Sequence, residues 1–237
     1  MANGQQQQTP TQSENFQNCR WKLRNHASCI VERVGSARSR GIWDQIFHAK
    51  AVFLSEAFAP PPLLVVLFLE VGIREADWTG VGFALLAAVF VVIGPYLAVI
   101  VMSRRGAVSD RFISNRRQRA PILLGVLLSI FAGLFLLIVL AAPRALVTAI
   151  LCIAVGLIWV TVVSLFWKLS IHAAIAMFFA AAQVILWGPW GLAALFVPVS
   201  VGWSRVHLRA HTGPQVFAGF GVGLIIGLLY FLLELPQ

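Results

Sequence analysis

Arg205, His207, Arg209 and His211 stand in one polar stretch, Trp203 to Gln215, between two long apolar runs. Together these residue types are suited to phosphoryl transfer. A guanidinium is a planar fork that pairs bidentately with phosphate oxygens. A neutral imidazole can attack phosphorus and carry it as a phosphohistidine, and a second imidazole can protonate the departing alkoxide. Two further polar stretches repeat the theme. One runs Ser109 to Pro121 and holds Asp110, Arg111, Arg116, Arg117 and Arg119. The other is Lys168-Leu169-Ser170-Ile171-His172. The candidate catalytic residues are therefore His211 and His172. Arg205, Arg119, Arg111, Arg116, Ser170 and Lys168 are candidates for holding the phosphate, with Gln215, Asp110 and Ser204 in support. His207 shares a helical spacing with His211 and is a weaker candidate. His26 and His48 read as solvated or interfacial.

Each polar stretch lies just before a predicted helix. Pro121 suits a first helical position, and Ser170 is placed to cap the helix that carries His172. Thr212-Gly213-Pro214-Gln215 has the Thr-x-x-Gln form of a capping box, so a helix is predicted to start at Thr212. A helix N-terminus presents unpaired N–H groups and about half a positive charge, which favours an anion. Three such ends on one side of the molecule would make a phosphate site.

The elements that must position them are membrane helices. The 237 residues are 59% hydrophobic and only 11% charged, where a soluble domain carries about 25% charged residues. Seven apolar segments are predicted, at approximately 51–73, 79–102, 121–142, 145–166, 171–187, 190–206 and 214–235. The first is interrupted by Pro60-Pro61-Pro62 and contains Glu56, so it reads either as a kinked span or as an interfacial helix with a short insertion. Glycines at 219, 223 and 227 form a smooth face for close helix packing. The expected class is an all-α, polytopic membrane bundle of six or seven spans. It divides into a disordered to interfacial basic segment, 1–50, and an integral membrane domain, 51–237.

If every segment spans, all of the 18 Lys and Arg residues except Arg74 and Arg144 fall on one side. The positive-inside rule makes that side cytoplasmic, in a protein expected in the cell membrane. The net charge of +9 points to anionic lipid headgroups and phosphates; the basic residues are divided among loops between apolar helices, so no nucleic-acid partner is expected. The N-terminal segment is not read as a signal peptide. Cys19, Cys29 and Cys152 have neither disulfide-framework nor zinc spacing, and without a carboxylate cluster no metal or other cofactor is expected.

In order and spacing, the three stretches resemble the signature motifs of the type 2 phosphatidic acid phosphatase superfamily, whose membrane members share a helical core with the vanadium haloperoxidases. Ser204-Arg205, five residues, then His211 matches the third motif, with Gln215 where the family has Asp. Ser170 and His172 keep two positions of the Pro-Ser-Gly-His motif. Arg111 and Arg119, with Pro121 beyond Ala120, match the first motif loosely. The resemblance covers residues 104–227. It implies His211 as nucleophile, His172 as general acid, and a phosphate held by Arg205, Ser170, Arg119 and Arg111 or Arg116. It also implies a metal-independent lipid phosphatase acting on a phosphomonoester or pyrophosphate of a phospholipid or polyprenyl lipid. Gln215 can orient His211 but brings no charge, a role in which Asp110 would substitute. An inactive relative that binds lipid phosphate and a small anion or lipid transporter are the alternatives.

Overall fold

The computed structural model describes residues 41–104 and 116–235, and every described element is helical. The chain divides at Phe47/His48, and the larger unit, from His48 onward, contains the membrane bundle. Helix α1, Ile42–Ala57, crosses that division. It is followed by α2 (Pro60–Ala88), a π-helical turn (Val89–Ile93), α3 (Gly94–Arg104), α4 (Arg116–Val139) and α5 (Arg144–Phe166). The chain ends with α6 (Ile171–Trp187), a 3₁₀ segment (Gly188–Leu195), α7 (Phe196–His207) and α8 (Gly213–Glu234).

Among the described residues five apolar helical stretches are long enough to cross a membrane, fewer than the six or seven expected from the sequence. The difference comes from two of them. Pro60–Met102 has 43 residues and Ile171–His207 has 37, whereas about 20 cross the hydrocarbon. Each is broken near its middle. In the first, Ala76 and Asp77 leave helical geometry, Asp77 with φ 48°. In the second, Gly188 takes φ 60°. A straight helix would separate residues eight apart by about 12 Å. Yet a Cβ on Gly80 would meet the carbonyl of Gly72, and one on Gly191 would meet that of Gln183. The chain therefore turns back at both breaks, and glycine is required where the backbones touch.

The predicted segment 51–73 is divided as well. Helix α1 stops at Ala57, and α2 begins at Pro60 after an extended Ala59. Proline favours both changes, since it biases the preceding residue away from helix and fits a helix start. The π-turn also traces to a proline. Gly94 N–H reaches back to the Val89 carbonyl. The next bond in that pattern would come from Pro95, which has no N–H, and Ser129 of α4 instead donates to the Phe90 carbonyl at 2.6 Å. In apolar surroundings that replacement matters, because an unpaired backbone group there costs several kcal/mol.

Among the described helices, α6 and α8 share the most extensive contact. A Cβ on Gly219 would stand 2.6 Å from the Ser170 carbonyl, and those on Gly223 and Gly227 would meet Ala174 and Ala181. Gly221, on the other face, meets nothing within 4 Å. Gly219→Leu should therefore force the two helices apart and lower stability by about 1–3 kcal/mol or more. Gly221→Leu should leave the melting temperature almost unchanged. Equal melting shifts for the two variants would contradict this packing.

Candidate functional site

The end of α7 and the start of α8 form one continuous device. Ala210 N–H bonds to the Arg205 carbonyl at 3.1 Å and Arg209 N–H to the Val206 carbonyl at 2.9 Å. These are the two bonds of a Schellman helix stop. Its left-handed position is filled by Arg209, φ 53°, where glycine is usual, at a cost of about 1 kcal/mol. His211 N–H also reaches the Arg205 carbonyl, at 3.2 Å. Thr212 then opens the capping box with Gln215 that begins α8. The five-residue interval between Arg205 and His211 is thus the length of one helix stop joined directly to the next cap.

The box also sets the state of the imidazole. Thr212 N–H, which can only donate, bonds to Gln215 Oε1 at 3.1 Å, so that atom is the amide oxygen. His211 Nδ1 lies 3.3 Å from the same oxygen. Because an amide oxygen accepts and does not donate, Nδ1 carries a proton, and in the neutral ring the lone pair is then on Nε2.

The start of α6 is joined to this device. Ser170 caps α6 by accepting from Ala173 N–H at 3.4 Å. Its own N–H donates to the Gln215 carbonyl at 3.3 Å. Lys168 Nζ donates to the Ala210 carbonyl at 2.9 Å. Two helix N-termini, each beside a histidine, therefore abut. His172 lies within electrostatic reach of both Arg205 and His211.

Arg205 is 8% exposed, an uncommon state for a guanidinium. Its Nη1 donates to Ser55 Oγ at 3.0 Å, across 150 residues of sequence. Its buried Nε has no hydrogen-bond partner among the described residues. Buried donors are ordinarily paired, so one without a partner calls for an explanation; an anion held at this point would supply the acceptor.

His172 also borders a cavity of about 400 Å³ whose wall comes from α2, the π-turn, α3, α4, α5, α6 and α8. His172 and Tyr96 are the polar side chains in a lining that is otherwise apolar.

The structure thus brings together His211, His172, Arg205, Ser170, Lys168 and Gln215. Ser204 is buried and donates to the Val201 carbonyl inside its own helix at 2.9 Å. His207 is exposed and stacks on Trp203 with ring centroids 5.1 Å apart. Asp110 and Arg111 lie outside the described residues. Arg116 and Arg119 belong to the first turns of α4, with their side chains outside the described part, and the helix reaches the cavity at Ile122 and Leu123. Sequence reasoning missed Ser55. Its only signal was the polar Ser55-Glu56 pair in an otherwise apolar stretch. No protein-family model, curated protein or solved structure matches this chain, so a functional reading rests on the chemistry of the site itself.

Proposed function

We propose that the chain is a polytopic membrane phosphatase of the type 2 phosphatidic acid phosphatase kind, with seven crossings counted by treating each folded-back stretch as two. Its substrate is a lipid phosphomonoester or pyrophosphate. The observation that carries this reading is the buried Arg205, its Nε unpaired among the described residues, beside two histidines at abutting helix N-termini.

In this reading His211 Nε2 attacks phosphorus. The N–P bond forms as the ester P–O bond breaks, and the departing alkoxide takes a proton from His172 in its imidazolium form, which the bound phosphate anion favours. Water then attacks the phosphohistidine, giving up its proton to His172 and releasing inorganic phosphate. Arg205, Lys168 and the N-termini of α6 and α8 stabilise the charge on the transferring group, with Ser170 as a further donor. Arg119 and Arg111 or Arg116 complete the phosphate shell. The arginine-rich side faces the cytoplasm of a cell membrane, as the charge distribution predicts.

A second reading, binding of lipid phosphate without turnover, is favoured by one feature. Gln215 Oε1 already serves the Thr212 cap and offers no charge to His211. A panel of lipid phosphates presented to sealed vesicles of either orientation separates the two. Phosphate released only where the arginine-rich side is accessible supports the phosphatase. Tight binding with no release from any substrate favours the binder, and release from the opposite side overturns the assigned orientation.

A further inference from the structure

We infer that the cavity beside His172 accepts one hydrocarbon chain, making the substrate a single-chain lipid phosphate and not a diacyl one. This deepens the reading above and rests on its placement of the phosphate at Arg205 and His172.

The cavity is partly open and is walled by α2, the π-turn, α3, α4, α5, α6 and α8. His172 and Ile171 mark the end at the start of α6, and Phe178 lies six residues further along that helix. On α4 the lining runs from Ile122 to Ile130, eight positions apart, or about 12 Å of helix. The space is therefore deep as well as apolar, and its histidine stands two residues after Ser170, whose N–H meets the Gln215 carbonyl at the start of α8 at 3.3 Å. A phosphate at that end directs whatever it is attached to along the lining.

Volume limits the size of the group esterified to the phosphate. An apolar cavity of about 150 Å³ takes one benzene ring, six carbons. On that scale the volume of about 400 Å³ takes a hydrocarbon of about 16 carbons. One alkyl chain, or a prenyl chain of a few units, meets that limit. A diacylglycerol brings two chains of comparable length and exceeds it about twofold. Among the described residues no charged side chain lines the space, so a polar headgroup extension finds no partner on these walls and is disfavoured by desolvation.

The test uses the full chain in detergent micelles with farnesyl monophosphate, hexadecyl monophosphate and dioleoyl phosphatidate, each also prepared with a photoreactive group at the chain end. Both single-chain compounds should bind at least about tenfold more tightly than phosphatidate. Their photoproducts should fall on lining residues such as Val126, Leu157 and Phe178. Val126→Phe and Leu157→Phe should each weaken single-chain binding by about tenfold, while binding of inorganic phosphate is unchanged. Farnesyl bound more tightly than hexadecyl supports a prenyl lipid, and the reverse an alkyl one. Equal binding of phosphatidate, or photoproducts confined to outward residues such as Leu128 and Phe135, would overturn the inference. Binding and photolabelling require no turnover. Lining photoproducts with no phosphate release support the chamber while overturning the phosphatase, and release accompanied by outward labelling does the opposite.

Discussion

His211→Ala should abolish phosphate release from every substrate, whereas the loss in His172→Ala should depend on the leaving group. The difference follows from their separate positions. Gln215 Oε1 accepts a hydrogen bond from Nδ1–H of His211, so the neutral ring has its lone pair on Nε2, the state of a nucleophile. An alternative nucleophile would have to come from water, without the two-step route, so a fall of about 10⁴-fold or more is expected. His172 borders the apolar cavity, where the departing lipid alkoxide would lie. An alkoxide is a poor leaving group and needs a proton, a contribution of about 10²–10⁴-fold. An aryl phosphate leaves as a stabilised phenolate and needs almost none. His172→Ala should therefore lose about 10²–10⁴-fold on a lipid phosphate and far less on an aryl phosphate, while His211→Ala loses both alike. An equal loss of both substrates in His172→Ala would remove it from the role of general acid. Gln215→Ala gives an internal control, since it removes the acceptor for His211 and the cap of Thr212 together.

How much of this was legible in the sequence depended on the range of the interaction. The Ser170 cap, the Thr212–Gln215 box and the abrupt end of α7 are local, each set by residues a few positions apart. The break at Ala76–Asp77 falls where Arg74, Glu75 and Asp77 interrupt the apolar run, so its place could be read from charge. Its tightness could not, because that depends on Gly72 and Gly80 meeting through their backbones. Glycines 219, 223 and 227 declared a packing face but not its partner, and only the fold selects α6. The Ser55–Arg205 bond joins residues 150 apart, and no periodicity or spacing reports such a pair. The same holds for the cavity, whose wall is assembled from seven helical elements.

Arg205→Met should cut turnover about 10²–10³-fold without lowering the melting temperature. A guanidinium 8% exposed has given up most of its hydration, and the bonds in return are few: Ser55 accepts from Nη1, while Nε is unpaired among the described residues. Replacing a buried ionic group by an apolar side chain of similar length is often neutral, or stabilising by about 1–4 kcal/mol. Set against this is the Ser55 hydroxyl left without its donor, worth about 1 kcal/mol. The balance is a melting temperature that is unchanged or higher. Activity should respond in the opposite sense, because removing a donor aimed at the transferring group costs about 10²–10³-fold in kcat. Arg205→Lys should recover little of it, since an ammonium keeps the charge but cannot reach Ser55 and the phosphate through one planar fork. Ser55→Ala should leave the guanidinium in place but less firmly oriented, with a loss of about tenfold. A melting temperature that falls sharply in Arg205→Met would make the residue structural; a rise together with lost turnover identifies a group retained for function at the expense of stability.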